Sequence, residues 1–293
     1  MEPIETNADQ RREPHDHRHA SDVTRRQALT FGGMATLGAL LAGSAMLGSG
    51  AVLGGSSPAL AQTDISAGSS TDPFDILFAI YPGGTLLDFA GPSEVFHRIP
   101  NTRIRFASYD GGPVPLEYGV VFGKSERLSD IEKTDLIMVP GGPDLTAPMK
   151  RESLAQIRRL ADGAKYVTSV CTGSLVLAAT GILKGKRSAC HWACVNELAK
   201  YGAIPDPARF VEDDNGRFMS GGGVTSGIDF ALRVTAKLRG KTAAEFAQLL
   251  IEYDPDPPFQ SGHPRVAPPE IIAMAEKALP GATKGHLHLP GVL

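Results

Sequence analysis

Sulfur and aromatic rings are scarce in this chain of 293 residues: it has three cysteines and one tryptophan, and aromatic side chains make up 6%. Three thiols (Cys171, Cys190 and Cys194) are too few for a disulfide scaffold. Neither sign of charge dominates. The net charge is −3, and from Gln62 onward 26 acidic side chains face 24 basic ones. Such a balance offers no electrostatic footprint for nucleic acid. Beyond Ala61 no apolar run is long enough to span a membrane. What is left is 232 residues with the length and composition of one large α/β domain and a well-filled core.

The first 61 residues read as an export signal. Thr24-Arg25-Arg26-Gln27-Ala28-Leu29 has the twin-arginine pattern, a mildly apolar Gly/Ala-rich run covers 31–53, and Ala59-Leu60-Ala61 offers a small-residue cleavage site. A retained membrane anchor is the competing reading of that run. Export by this route places a folded mature chain in the periplasm, with no membrane contact once the signal is removed. His15, His17 and His19 resemble a metal tract but fall in the removed segment, and they are assigned no role. A Ser/Gly/Thr-rich linker then occupies 62–73.

From there strands and helices alternate. Strands are expected at 75–81, 103–109, 135–139, 165–170, 186–189, 209–212 and 218–220, with a hairpin-like region at 118–122. Helices are expected from Gly91-Pro92 to His97 and over 152–163, 172–180, 192–201, 226–238 and 243–253. This order predicts a mostly parallel sheet covered on both faces, with ligands at the carboxyl ends of its strands. The loops there carry Asp88, Gly141-Gly142 and Cys171-Thr172. A Pro-rich tail with one short helix near 270–278 closes the chain, too small for a helix-turn-helix module.

Ser169-Val170-Cys171-Thr172-Gly173-Ser174 is the most informative segment. A thiol at the tip of a strand-to-helix turn is held out of the sheet, beside open helical N–H groups that favour a thiolate. The pattern matches a nucleophile elbow, and Cys171 is the expected nucleophile. Cys190-His191-Trp192-Ala193-Cys194 would bring two thiols to one helix face. No further Cys or His cluster completes a metal site, so small apolar packing is the better reading. Gly221-Gly222-Gly223 lacks the final small residue of a dinucleotide loop and comes late in the chain; a close-packed helix start fits better. Glu94, placed in a first helical turn, would serve the helix dipole.

The segments around Cys171 (166–177), Leu87-Asp88-Phe89-Ala90-Gly91-Pro92, Val139-Pro140-Gly141-Gly142, His191-Trp192, the run 220–232 and Glu252-Tyr253-Asp254-Pro255-Asp256-Pro257-Pro258-Phe259 together resemble the ThiJ/PfpI superfamily (class I glutamine amidotransferase-like). Within it the most similar branch is that of the isonitrile hydratases, and the likeness covers about 74–265, leaving 266–293 as a tail. The resemblance implies a flavodoxin-like three-layer α/β sandwich and a homodimer. It implies Cys171 as nucleophile and Asp88 as the carboxyl facing it. The activity implied is hydration of an isonitrile, a small-molecule substrate, to an N-substituted formamide through a thioimidate, without metal or organic cofactor. Thr172 and Gly142 would present N–H groups to developing negative charge, and the Thr172 hydroxyl would help place water or substrate. His191 stands where the superfamily often has a pocket histidine, although a core histidine beside Trp192 fits equally. Asp88 read without the resemblance is as good a helix cap as an acid.

Two other readings compete. A peptidase, amidase, glyoxalase or deglycase of the same superfamily would commonly place histidine directly after the nucleophile, where this chain has Thr172. A non-enzymatic ligand- or redox-sensing domain would fit relatives fused to DNA-binding tails, and reversible oxidation of Cys171 would belong to that reading.

Overall fold

The computed structural model describes residues 72–279. The expected export signal with its three histidines, nearly all of the linker and the last part of the tail lie outside the described residues. Of the chain's two units, 1–61 and 62–293, the described residues all belong to the second.

The chain runs β1 (Phe74–Ala79), α1 (Leu86–Phe96), β2 (Thr102–Ser108), β3 (Gly112–Pro115), β4 (Val121–Arg127), β5 (Leu136–Val139), α2 (Arg151–Gly163), β6 (Tyr166–Val170), α3 (Gly173–Ala179), β7 (Arg187–Ser188), β8 (Ile204–Pro205), β9 (Phe210–Asp213), β10 (Phe218–Gly221), α4 (Ser226–Arg239), α5 (Lys241–Leu250) and α6 (Pro269–Ala278). Eight strands form one sheet in the order β3-β4-β2-β1-β5-β6-β10-β9. The six inner strands are parallel, and β3 and β9 close the edges antiparallel. This is the mostly parallel, helix-covered sheet that the alternation of strands and helices predicts, in the flavodoxin-like α/β form that the family resemblance implies.

Why β1 lies at the centre is plain from its residues. Ile76 to Ala79 is an unbroken apolar run, as a strand covered on both faces requires. Ile76 and Phe78 join one core with Phe89, Met138 and Phe230; Leu77 and Ala79 join the other with Ile137, Ile157 and Leu175. The period of two along one strand thus feeds two cores, one per layer of helices. In α2 the buried positions Ser153, Ile157, Leu160 and Ala161 follow helical spacing, and in α4 Phe230, Ala231, Val234 and Thr235 do the same.

Three expectations are corrected. Helix α1 begins at Leu86 rather than at Gly91-Pro92, so Pro92 lies inside it, Asp88 sits in its first turn, and Glu94 is well past the first turn. The pair 91–92 is needed for packing instead: a Cβ on Gly91 would lie 2.9 Å from Ile228 Cγ1 of α4, and one on Gly227 would lie 3.1 Å from Pro92 Cγ. Close helix–helix contact outweighs the lost N–H of Pro92. Glu94 forms an exposed pair with Arg98 at 3.2 Å. The helix expected over 192–201 is a 3-10 helix over Val195–Tyr201, ended by Gly202 at φ 76°. Residues 190–194 are accordingly not helical, and Cys190 and Cys194 pack in the core.

Candidate active site

The carboxyl ends of β1, β5 and β6 meet beside the point where the strand order reverses. Cys171 follows β6 directly, with φ 59°, a left-handed conformation that costs a non-glycine residue about 1 kcal/mol. Its N–H is held by two carbonyls, Gly222 at 2.8 Å and Gly221 at 3.2 Å. The backbone is thereby clamped to the end of β10, and the side chain is buried in the core shared with Val170 and Met219. This is the elbow the sequence pattern suggests.

Asp88 reaches the thiol from α1 and is fully buried. Its Oδ2 accepts the Gly141 N–H at 2.8 Å, and Oδ1 has no well-formed partner. Gly141 stands at the crossing point. A Cβ there would lie 2.5 Å from Thr172 N, 2.7 Å from Asp88 Oδ2 and 2.7 Å from Cys171 Cβ, so only glycine lets the three approach. Carboxyl and thiol are therefore neighbours.

Their proton affinities follow from that closeness and from burial. Desolvation pushes Asp88 up to about 7; the Gly141 N–H and the Cys171 thiol, both donors to it, pull it down, and the charge of Glu117 raises it again. Burial drives the Cys171 thiol well above its ordinary range, and the Asp88 charge adds to this. The N–H groups of Val224 and Thr172 oppose the rise without reversing it. The resting sulfur is thus a thiol rather than the expected thiolate. Two turns of α3 are a weak field against a fully buried sulfur with a carboxyl beside it.

The other expected residues are placed as follows. Thr172 is buried at the start of α3, but its hydroxyl donates to the Gly142 carbonyl at 2.7 Å and accepts the Gly142 N–H at 2.8 Å. Gly142 N–H is therefore engaged within the protein instead of facing a ligand, and the Thr172 hydroxyl fixes that loop rather than placing water. His191 is partly buried; its Nδ1 accepts the Ala193 N–H at 3.3 Å, and burial lowers its pKa. It packs against the Gly223 backbone and tilts against Trp192 with ring centres 5.6 Å apart.

Three contributors escape sequence reasoning. Val224 donates its N–H toward the sulfur from a backbone with φ 23°, unusual for a β-branched residue. Tyr81 is buried beside Thr172, with its hydroxyl donating to the Pro140 carbonyl at 2.9 Å. Glu117, whose Oε2 accepts from Thr85 Oγ1 at 2.8 Å, adds negative field to Asp88. Only the Gly-rich run at 221–223 hinted at Val224. Among the described residues no group of three or more His, Cys, Asp or Glu side chains is placed to hold a metal.

A buried thiol paired with a carboxyl that has no cationic partner can pass one proton between sulfur and oxygen while the sulfur forms a bond. Comparisons with known proteins agree on the frame. The model of the DJ-1/PfpI family matches residues 75–237. An isonitrile hydratase from Pseudomonas putida is 42% identical over 201 residues, covering 68% of this chain and 87% of its own. The solved structure of a THiJ/PfpI family protein from Pseudomonas syringae has a TM-score of 0.72 at 35% identity, covering 82% of this chain and 98% of that one. The HTH-type transcriptional regulator CdhR of Pseudomonas aeruginosa is 28% identical over 176 residues, 58% of this chain and 52% of the regulator. On the matched residues and the shared architecture, the chain belongs to the DJ-1/PfpI family.

Proposed function

We propose that this protein is a cofactor-independent lyase that hydrates isonitriles to N-substituted formamides. The observation that carries the reading is the Asp88 carboxyl beside the Cys171 thiol, buried and, among the described residues, without a cation. The isonitrile hydratase of P. putida, at 42% identity, supports the same choice of reaction. An isonitrile carbon takes up a nucleophile and a proton at the same atom. A thiol and a carboxylate holding one proton between them are the reagents for that addition.

Sulfur bonds to the terminal carbon as its proton moves to Asp88, and Asp88 returns that proton to the same carbon. R–N≡C and Cys–SH become the thioimidate R–N=CH–S–Cys. Asp88 then takes a proton from water, which attacks the carbon. Asp88 gives that proton to nitrogen; as the C–S bond of the tetrahedral adduct breaks, Asp88 takes the hydroxyl proton and passes it to the departing sulfur, so R–NH–CHO leaves with the thiol restored. The N–H groups of Val224 and Thr172 favour the sulfur when it leaves as an anion. Thr172, Gly142 and Tyr81 keep the loop beside the sulfur in place.

The mature chain is proposed to act in the periplasm as a homodimer. Exposed Leu86, Leu87, Tyr118, Val120 and Val121 support a second copy as partner, because the Thr85–Glu117 hydrogen bond joins their two segments into one apolar face beside the site. Light scattering on the purified protein would show twice the chain mass, and cell fractionation would place it outside the cytoplasm. The reaction itself is tested by mass-spectrometric detection of formamides from a panel of small isonitriles. Formamide from at least one supports the reading; none, with methylglyoxal consumed instead, overturns it.

A further inference from the structure

A cavity of about 540 Å³ lies against the outer side of the 222–224 strip. The inner side of that strip holds the nucleophile: Gly222 O takes the Cys171 N–H and Val224 N–H faces the sulfur. The 222–224 strip is thus a wall shared by the cavity and the thiol. Its walls differ in character. Trp192, Val195 and Ile272 are apolar, whereas Arg209, Arg265 and Glu276 carry charge.

The two guanidinium groups are not equivalent. Arg209 is neutralised by Asp229, whose other oxygen accepts from Tyr253 at 2.8 Å. Among the described residues Arg265 has no carboxylate partner; it reaches the Pro207 carbonyl at 3.5 Å and His263 Nε2 at 3.2 Å. The latter contact is poor for a specific reason. His263 Nδ1 accepts the Arg265 N–H at 3.1 Å, and a neutral imidazole accepts at one nitrogen only. With Nδ1 as acceptor, Nε2 bears the proton and faces the guanidinium as a second donor. Burial lowers the His263 pKa most, and the charges of Arg265 and Arg209 lower it further.

We infer that this cavity is the subsite for the substrate's side chain, and that it selects alkyl isonitriles ending in a carboxylate. The chain would lie on Trp192 and Ile272, the carboxylate would take the unmatched donors of Arg265, and the slim, linear –N≡C head would extend past the 222–224 strip toward Cys171. Glu276 at the rim opposes the anion and sets a limit on the preference. This inference rests on the isonitrile reading and adds the identity of the side chain to it.

The test compares kcat/KM for an ω-carboxyalkyl isonitrile with that for its methyl ester, each variant serving as its own reference so that folded fraction cancels. The full protein should prefer the carboxylate by about tenfold, the size of one charge-assisted hydrogen bond that is partly open to water. Arg265→Gln should bring the ratio close to one, Arg265→Lys should keep part of it, and Glu276→Gln should raise it. An ester turned over as well as the carboxylate, or a ratio unmoved by Arg265→Gln, overturns the inference and leaves isonitrile hydration standing. If neither compound nor cyclohexyl isonitrile yields a formamide, the underlying reaction is wrong and the subsite with it.

Discussion

Two aspartates are buried near opposite ends of the first strand, and the fold treats them in opposite ways. Asp75, in β1 itself, pairs across the sheet with its register neighbour Arg103 at 2.8 Å and with Arg105 at 3.4 Å. Asp88, one loop further on, has a backbone N–H, a thiol and, among the described residues, no cation. Burial is nearly the same for both, so burial alone does not make a carboxyl reactive. What separates them is compensation. Two arginines stand against the Asp75 carboxylate, whereas Asp88, with no cation beside it among the described residues, is pushed by desolvation up to about 7 and is free to exchange its proton.

The sharpest way to break that contrast is to neutralise each in turn. Asp88→Asn should cut formamide production by about 10²–10⁴ with the fold retained, because an amide cannot relay the proton. Full turnover in this variant would remove the acid–base role. Asp75→Asn should leave kcat per folded molecule unchanged and cost roughly 1–3 kcal/mol of stability in urea unfolding, since it strips a charge from two arginines. Loss of activity without loss of stability would place Asp75 in the chemistry.

pH separates them further. In the proposed mechanism one proton shared by the Asp88–Cys171 pair is the active arrangement, and it prevails above about pH 7, where the pair loses the second of its two protons as the Asp88 carboxyl ionises. The kcat/KM profile should therefore rise tenfold per pH unit on its acid side and level off near 7. A smaller effect is expected in stability. The folded carboxyl holds its proton up to about 7 against an ordinary value of 3.8, so this contribution is complete below the ordinary value and is lost as pH rises through 7. Asp88→Asn should then gain on the wild type between about pH 4 and pH 8, by up to ~4 kcal/mol. A gain in the reverse direction would mean that Asp88 is compensated by a charge not seen near it.

Much of this arrangement was legible in the residues. The Val170-Cys171-Thr172-Gly173 turn reads as an elbow because strand and helix periodicities meet there, and the apolar run at β1 reads as a central strand. The start of α1 was misread because Pro92 is a strong local signal for a helix's first turn, while its real constraint, contact with Gly227 of α4, is long-range. Tyr81, Glu117 and Val224 reach the site only through sheet order and loop closure, which no local pattern records. The protonation of Cys171 turned on burial of the sulfur and on the field of Asp88, quantities that only the assembled core determines.

The most direct test follows the sulfur through turnover. The purified protein is mixed with an isonitrile, quenched in acid within the first turnovers and weighed intact, with the site mapped by peptide mass. A gain equal to one whole isonitrile on Cys171, absent from Cys171→Ala together with all formamide, is the predicted result. Formamide released at an undiminished rate by Cys171→Ala would contradict the account.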